Sequence, residues 1–245
     1  MRIEDRTRTF IIAMERTVVP ENFSFRMTDE EYRVLEKIKN SIPVCYLADH
    51  ADFALGIVTG NNKKFLSAEK TEHSEMVLKG TDICKYHINP AKQYLRFEPE
   101  QFQQVAPLEI YRAPEKLLYR FISNQLVVAY DDRQMLSLNS CNIVIPKIEG
   151  MQIKYILAIL NSSVSQFVYQ KEFHSIKVLR AHMEHIPIPR VGKAIQNEII
   201  AMTEPLICGM GKEAAETCQK RLDCRIMDLF RLSAEEQWII RHALH

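Results

Sequence analysis

The chain has 245 residues, 47% of them hydrophobic and 26% charged, with a net charge of +1. This composition excludes global disorder, the charge balance excludes a uniformly basic nucleic-acid binder, and the length allows one large domain or two smaller ones. Positive charge gathers in the middle: Gly56–Arg96 has seven Lys/Arg against four Asp/Glu, and Arg112–Arg190 ten against six. A polyanion contact would lie there, although surpluses of this size also arise by chance. Arg8–Val19 alternates weakly around Phe10, Ile11, Ile12 and Met14 and predicts a strand. Thr28–Ser41 predicts a helix, with Thr28 as cap, Glu31 at the capping-box position, Tyr32, Leu35 and Ile38 on one face, and Pro43 as the stop. The opening reads as the interior of a longer chain.

Ala54–Val58 predicts a buried strand, and Thr59-Gly60-Asn61-Asn62 a turn, because Gly and Asn tolerate left-handed backbone. Lys63 and Lys64 follow at once, so backbone N–H groups and ammonium groups could meet a phosphate there. On their own the same residues suit an ordinary exposed hairpin turn better, and the P-loop spacing is absent. Lys79–Ile88 predicts a short strand exposing Lys79, Lys85, Tyr86 and His87; Gln93–Phe97 predicts another strand, and Pro99–Pro107 a loop.

Ala113–Pro146 is the centre of the chain. Two apolar strand-like runs, Gln125–Tyr130 and Asn142–Ile145, enclose a polar segment with Asp131, Asp132, Arg133, Ser137, Asn139 and Ser140. Arg112, Lys116 and Arg120 place positive charge in front of it, beside Tyr119 and Phe121. Met151–Tyr169 has helical spacing throughout and predicts one core helix. Lys177–Arg180 and Ile186–Pro189 follow, and Pro-x-Pro at Pro187 and Pro189 predicts an extended exit. Val191–His245 changes to alternating charges and alanines, predicting helices with a break near Pro205 and the Gly209/Gly211 pair, then helices at Leu222–Phe230 and Ala234–Leu244.

Several chemistries are missing. The six cysteines form no CxxC, which leaves a zinc ribbon and a thioredoxin-type site unsupported. There is no Gly-x-Ser-x-Gly, no Pro-Pro pair, no glycine-rich nucleotide loop and no Asp/Glu-x-Lys. His182 and His185 suit a solvated pair better than a metal site, and Asp131-Asp132 a turn device better than a metal pair. No signal peptide opens the chain and no apolar run approaches the roughly 20 residues of a membrane span, so a reduced, cytoplasmic, soluble protein is expected.

Taken in order, GIVTGNNKKFL, LKGTDICKYHI, PEKLLYRFISNQLVVAYDDRQMLSLNSCNIVIP, KYILAILNSSVSQFVYQ and HIPIPRV resemble the TaqI-like C-terminal specificity domain, the target-recognition part of adenine-specific DNA methyltransferases and fused type II restriction–modification enzymes. LDCRIMDLFRLSAEEQWII resembles the helical end of such enzymes. The resemblance implies an α+β fold: a linker and N-terminal helix region at 1–50, a strand-rich target-recognition domain with a long core helix at 51–190, and a helical region at 191–245. It implies double-stranded DNA as partner and no catalytic, metal or cofactor residues in this fragment. S-adenosylmethionine would be bound by an upstream methyltransferase domain, which flips the target adenine. On that basis the expected phosphate contacts are Lys63, Lys64, Lys79, Lys85, Lys177 and Arg180, with the N–H groups of Gly60 and Asn61. The expected base contacts are Asn62, Tyr86, Arg112, Arg133 and Asn139. The alternative is an interaction module whose C-terminal helices, with Trp238, dock a methyltransferase subunit or form a homodimer.

Overall fold

The computed structural model describes residues 2–4, 9–11, 27–173 and 175–244. β1 (Arg2–Glu4) and β2 (Thr9–Ile11) pair antiparallel; the rest of the strand expected over Arg8–Val19 lies outside the described residues. α1 (Asp29–Asn40) starts as its sequence dictates: Thr28 Oγ1 accepts from Glu31 N at 3.1 Å, and Glu31 Oε2 accepts from Thr28 N at 2.9 Å.

β3 (Val44–Cys45) precedes β4 (Ala51–Ala54), so the strand expected at Ala54–Val58 is displaced toward the N-terminus. The cause is Gly56. Here the chain presses on the 138 peptide so closely that a Cβ would sit 2.1 Å from the Leu138 carbonyl oxygen, and Ile57 and Val58 keep only isolated bridges. Gly56→Ala is therefore expected to cost about 1–3 kcal/mol through overpacking, measured by urea unfolding. A variant as stable as the parent would show that the two segments can separate.

α2 (Asn62–Phe65) and β5 (Leu66–Ser67) come next, so the Gly60 turn enters a helical turn, not a hairpin. The strand expected at Lys79–Ile88 lies earlier, as β6 (Ser74–Leu78); Asp82 accepts from Lys79 N at 2.8 Å and coils Gly80–Asp82 into a 3-10 turn. β7 (Gln93–Arg96) fits its expected run, and a 3-10 turn at Pro99–Gln101 interrupts the expected loop. α3 (Leu108–Tyr111) leads to β8 (Lys116–Arg120), β9 (Val128–Asp131), β10 (Leu136–Ser137) and β11 (Cys141–Pro146).

β4-β11-β8-β9 form a central sheet and β10-β6-β7-β5 a smaller one. The central sheet is buried on both faces. Leu117, Tyr119, Val128, Tyr130 and Val144 enter the core shared with the helices, while Leu118, Ala129, Cys141 and Ile143 enter the core shared with the small sheet. Burial on both sides explains why these strands read as unbroken apolar runs rather than alternating ones.

The single helix expected at Met151–Tyr169 is two, α4 (Ile153–Asn161) and α5 (Ser163–Glu172). Ser162 adopts extended backbone between them, and its hydroxyl accepts from Ser165 N at 3.2 Å as the cap of α5. The break turns two amide side chains onto the outer edge of β9. Asn161 Nδ2 donates to Val128 O at 2.8 Å and Oδ1 accepts from Val128 N at 3.1 Å. Gln166 makes the same pair of bonds, each 3.2 Å, with the backbone of Leu126.

α6 (Arg180–Glu184) and β12 (Ile188–Pro189), which pairs with β3, lead to α7 (Lys193–Cys208), α8 (Lys212–Leu229) and α9 (Ala234–Ala243). α7 runs through Pro205 and breaks only at Gly209 (φ +79°), and α8 starts ten residues before the expected Leu222. Ile199, Leu206, Leu222, Ile226, Phe230 and Ile240 belong to one core with α1, α4, α5 and the central sheet. Asp223 on α8 accepts from Ser163 N at 2.9 Å and Ser163 Oγ at 2.8 Å, fastening the helical end to the start of α5. Among the described residues no helix is long and apolar enough to cross a membrane.

Candidate functional site

The expected contact residues do not form one patch. The Gly60–Lys64 turn is a built structure: Gly60 has φ +75°, Asn61 Oδ1 accepts from Lys64 N at 3.2 Å, and Asn62 Oδ1 accepts from Thr59 Oγ1 at 2.6 Å. The Asn61 and Asn62 side chains thus order the turn. Lys63 is exposed with no partner among the described residues, while Lys64 Nζ donates to Gln101 Oε1 at 2.7 Å.

Lys79 is half-buried and its ammonium has no acceptor among the described residues. Lys85 and Tyr86, expected on the surface, turn inward. Lys85 Nζ donates to Asn161 O at 3.2 Å, and burial pushes its pKa down against the opposing field of Asp223. Tyr86 is 2% exposed, with left-handed backbone (φ 74°). Its N–H donates to Val128 O at 2.7 Å and its carbonyl accepts from Tyr130 N at 3.2 Å, so it extends the ladder beside β9. A tyrosine in that position cannot reach a base edge without opening the fold.

The three cations expected in front of the central segment serve the protein itself. Lys116 is fully buried; its Nζ lies 2.5 Å from Asp131 Oδ2 and donates to Tyr111 O at 2.6 Å. Arg120 donates to the carbonyls of Gly80 (2.9 Å) and Ile83 (2.5 Å). Arg112 grips both oxygens of Glu75, at 2.6 and 2.7 Å, and donates to Gln134 O at 2.7 Å. Asp131 is also the turn device its sequence suggested, accepting from Arg133 N and Met135 N at 3.0 Å each.

Arg133 is different: its backbone is fixed by Asp131, but its guanidinium is exposed and has no acceptor among the described residues. It lines a cleft of about 360 Å³ with Arg112, Glu75, Lys70, Met76 and Tyr94. Lys70, Met76 and Tyr94 were not among the residues expected from the sequence. The available signal was alternation: β6 and β7 face the core with Val77 and Leu95, which puts Met76 and Tyr94 outward.

Asn139 is exposed at the end of β10, its N–H bonded to Ile57 O at 3.1 Å and its side chain without a partner among the described residues. Ser140 beside it accepts from Gly80 N at 3.0 Å, a structural role. Lys177 bridges Ile122, just beyond the end of β8, and Arg180 opens α6. Lys177 is exposed over the Phe121 ring at 5.9 Å; Arg180 packs on Phe53 at 5.2 Å and is tied to Glu184 at 2.7 Å. His182 stacks on Phe173 with centroids 4.5 Å apart, and its Nδ1 accepts from Leu179 N at 3.2 Å.

Residues 75–188 match the TaqI-like C-terminal specificity domain. The Gly56–Leu66 segment and the helices after residue 188 lie outside the matched span. Among solved structures, the type IIL restriction-modification enzyme MmeI, in complex with DNA, is similar over 82% of this chain and 35% of its own, with 10% identity and a TM-score of 0.55, which shows a shared fold. A type I restriction-modification system chain is similar over 95% of this chain and 51% of its own, with 13% identity and a TM-score of 0.45. The HsdS subunit from Thermoanaerobacter tengcongensis is similar over 88% of this chain and 50% of its own, with 14% identity and a TM-score of 0.43. The chain thus spans about a third to a half of the length of these proteins. No curated protein matches it.

Proposed function

We propose that this chain, which carries a TaqI-like C-terminal specificity domain over residues 75–188, reads double-stranded DNA as the target-recognition part of a restriction–modification protein. The family match carries the proposal; the MmeI fold, solved on DNA, supports it. The chemistry of methyl transfer lies elsewhere: the sequence has neither a Pro-Pro pair nor a glycine-rich loop, so S-adenosylmethionine and the target adenine belong to a methyltransferase domain or subunit that works beside this one in the cytoplasm.

Lys63, Lys64, Lys79 and Lys177 are assigned to phosphates, with the Gly60 and Asn61 N–H groups, because three of these ammonium groups have no protein acceptor among the described residues and Lys64 has only an amide. Arg180, exposed but shared with Glu184, joins them more weakly. Duplex affinity should fall steeply with salt through counterion release. The Lys63→Ala/Lys64→Ala double variant should weaken binding alike on every sequence and lower the salt slope by about one per lysine lost. Undetectable duplex binding at low salt would reject the proposal.

A second reading has the helical end dock a methyltransferase subunit or a second copy. Its support is Trp238, 56% exposed and stacked on His242 at 3.7 Å instead of in the core. Deleting Val191–His245 would not test this, since it would also strip Ile199, Leu222, Ile226 and Phe230 from the shared core; solution mass with Trp238→Ala is the appropriate measurement.

A further inference from the structure

We propose that the cleft on the outer face of the small sheet is the base-reading surface, with Arg133 reading a guanine and Met76 contacting the methyl group of an adjacent thymine. The proposal rests on duplex recognition as the chain's function. Met76 is 47% exposed although it lies within β6, and the strand register sets it directly across from Tyr94 on β7. Met76, with the half-buried Tyr94 across from it, has no part in either core. The cleft beside it is framed by cations: Arg112, Arg133 and Lys70.

The two arginines differ in what they have free. Arg112 is committed to Glu75 and to the Gln134 carbonyl, so it forms a wall of the cleft. Arg133 has its whole guanidinium fork available. Its backbone, by contrast, is held from both sides. Asp131 accepts its N–H, Gln134 follows in left-handed conformation (φ 56°), and Asp131 is itself anchored by the buried Lys116. A phosphate contact asks for positive charge on a mobile stem. A base contact asks for a preorganised planar fork, and arginine on guanine O6 and N7 is the commonest specific pairing. The exposed methionine decides between them. It offers a phosphate nothing, whereas in a groove an apolar side chain meets the thymine methyl. Glu75 keeps Arg112 from competing for the same acceptors, and Lys70, exposed at the margin and without an ion pair among the described residues, can hold the flanking backbone.

The test is selection of duplexes from a randomised library with the full chain, followed by titration of the enriched site. The unmodified chain should enrich a site containing a G·C pair beside a T·A pair. Arg133→Ala should lose about tenfold to a hundredfold discrimination at that G·C position while its melting temperature stays unchanged. Met76→Ala should lose the preference for thymine over uracil at the neighbouring position and keep the guanine preference. If Arg133→Ala instead weakens binding equally on all sequences and lowers the salt slope by about one, the residue is a phosphate contact and the proposal fails while duplex recognition stands. Binding with no preference, or a Met76→Ala variant that still distinguishes thymine from uracil, likewise overturns it. If the unmodified chain binds no duplex at low salt, duplex recognition falls and takes this proposal with it.

Discussion

Lys116→Met is expected to remove about 3–5 kcal/mol of stability, read from urea unfolding. Lys116 and Asp131 are both fully buried, and burial pushes the lysine pKa down, opposed by its hydrogen bond and charge interaction with Asp131. Methionine fills the same space but leaves a carboxylate without counter-charge inside the protein. Removing the carboxylate as well would not restore stability, because Asp131 also accepts from Arg133 N and Met135 N. Its replacement by leucine would strand two backbone donors. The double variant should therefore stay well below the parent, unlike buried ion pairs whose members bond only each other. A Lys116→Met loss under about 1 kcal/mol would mean that water or a shifted loop reaches Asp131, and the rigid footing argued for Arg133 would go with it.

Asn161→Ala is expected to cost about 1–3 kcal/mol, since it leaves the Val128 N–H without an acceptor in the interior. Tyr86 N still donates to the Val128 carbonyl, so the N–H carries the loss. Hydrogen exchange localises the effect: the Val128 amide should exchange faster than its neighbours on β8. Asn161→Asp keeps an acceptor for that amide but loses the donor and buries a charge, so at neutral pH it should be no better than alanine. An unchanged Val128 exchange rate in Asn161→Ala would show that the amide is protected by packing alone.

Sequence and structure agree where the signal is local. The capping boxes of Thr28 with Glu31 and of Ser233 with Glu236 occupy four residues each, and both helices begin where those boxes put them. The doubly buried strands were legible as apolar runs, because burial on both faces writes itself into composition. The break between α4 and α5 was not legible. Its reason is the edge of β9, 33 residues earlier in the chain, and helical periodicity continues smoothly across it. Cations failed for the same cause. A lysine or arginine in a sequence looks the same whether solvent or a carboxylate receives it, and Glu75 lies 37 residues from Arg112. Of the positive charge counted in the centre of the chain, Lys116, Arg120 and Arg112 are consumed by the fold, as are Lys85 and the ion-paired Lys147, Lys154 and Lys171, while Arg133 and Lys63 stay open to a partner. Met76 was missed because exposure of an apolar residue depends on which face of a small sheet is covered.

The amides of Asn161 and Gln166 also determine what the central sheet can join. An open strand edge is a row of donors and acceptors on which a foreign strand can add, the first step of edge-to-edge aggregation. Many sheets blunt that edge with charge or a bulge. Here Leu126 and Val128 are closed by two side chains from α5 and the end of α4, and Tyr86 covers the next position. The sheet stops at four strands because its last rung is occupied by a helix terminus. Loss of Asn161 would thus do more than loosen the core: it would open the Val128 N–H on that edge to a foreign acceptor, and time-dependent precipitation on warming should accompany the fall in stability.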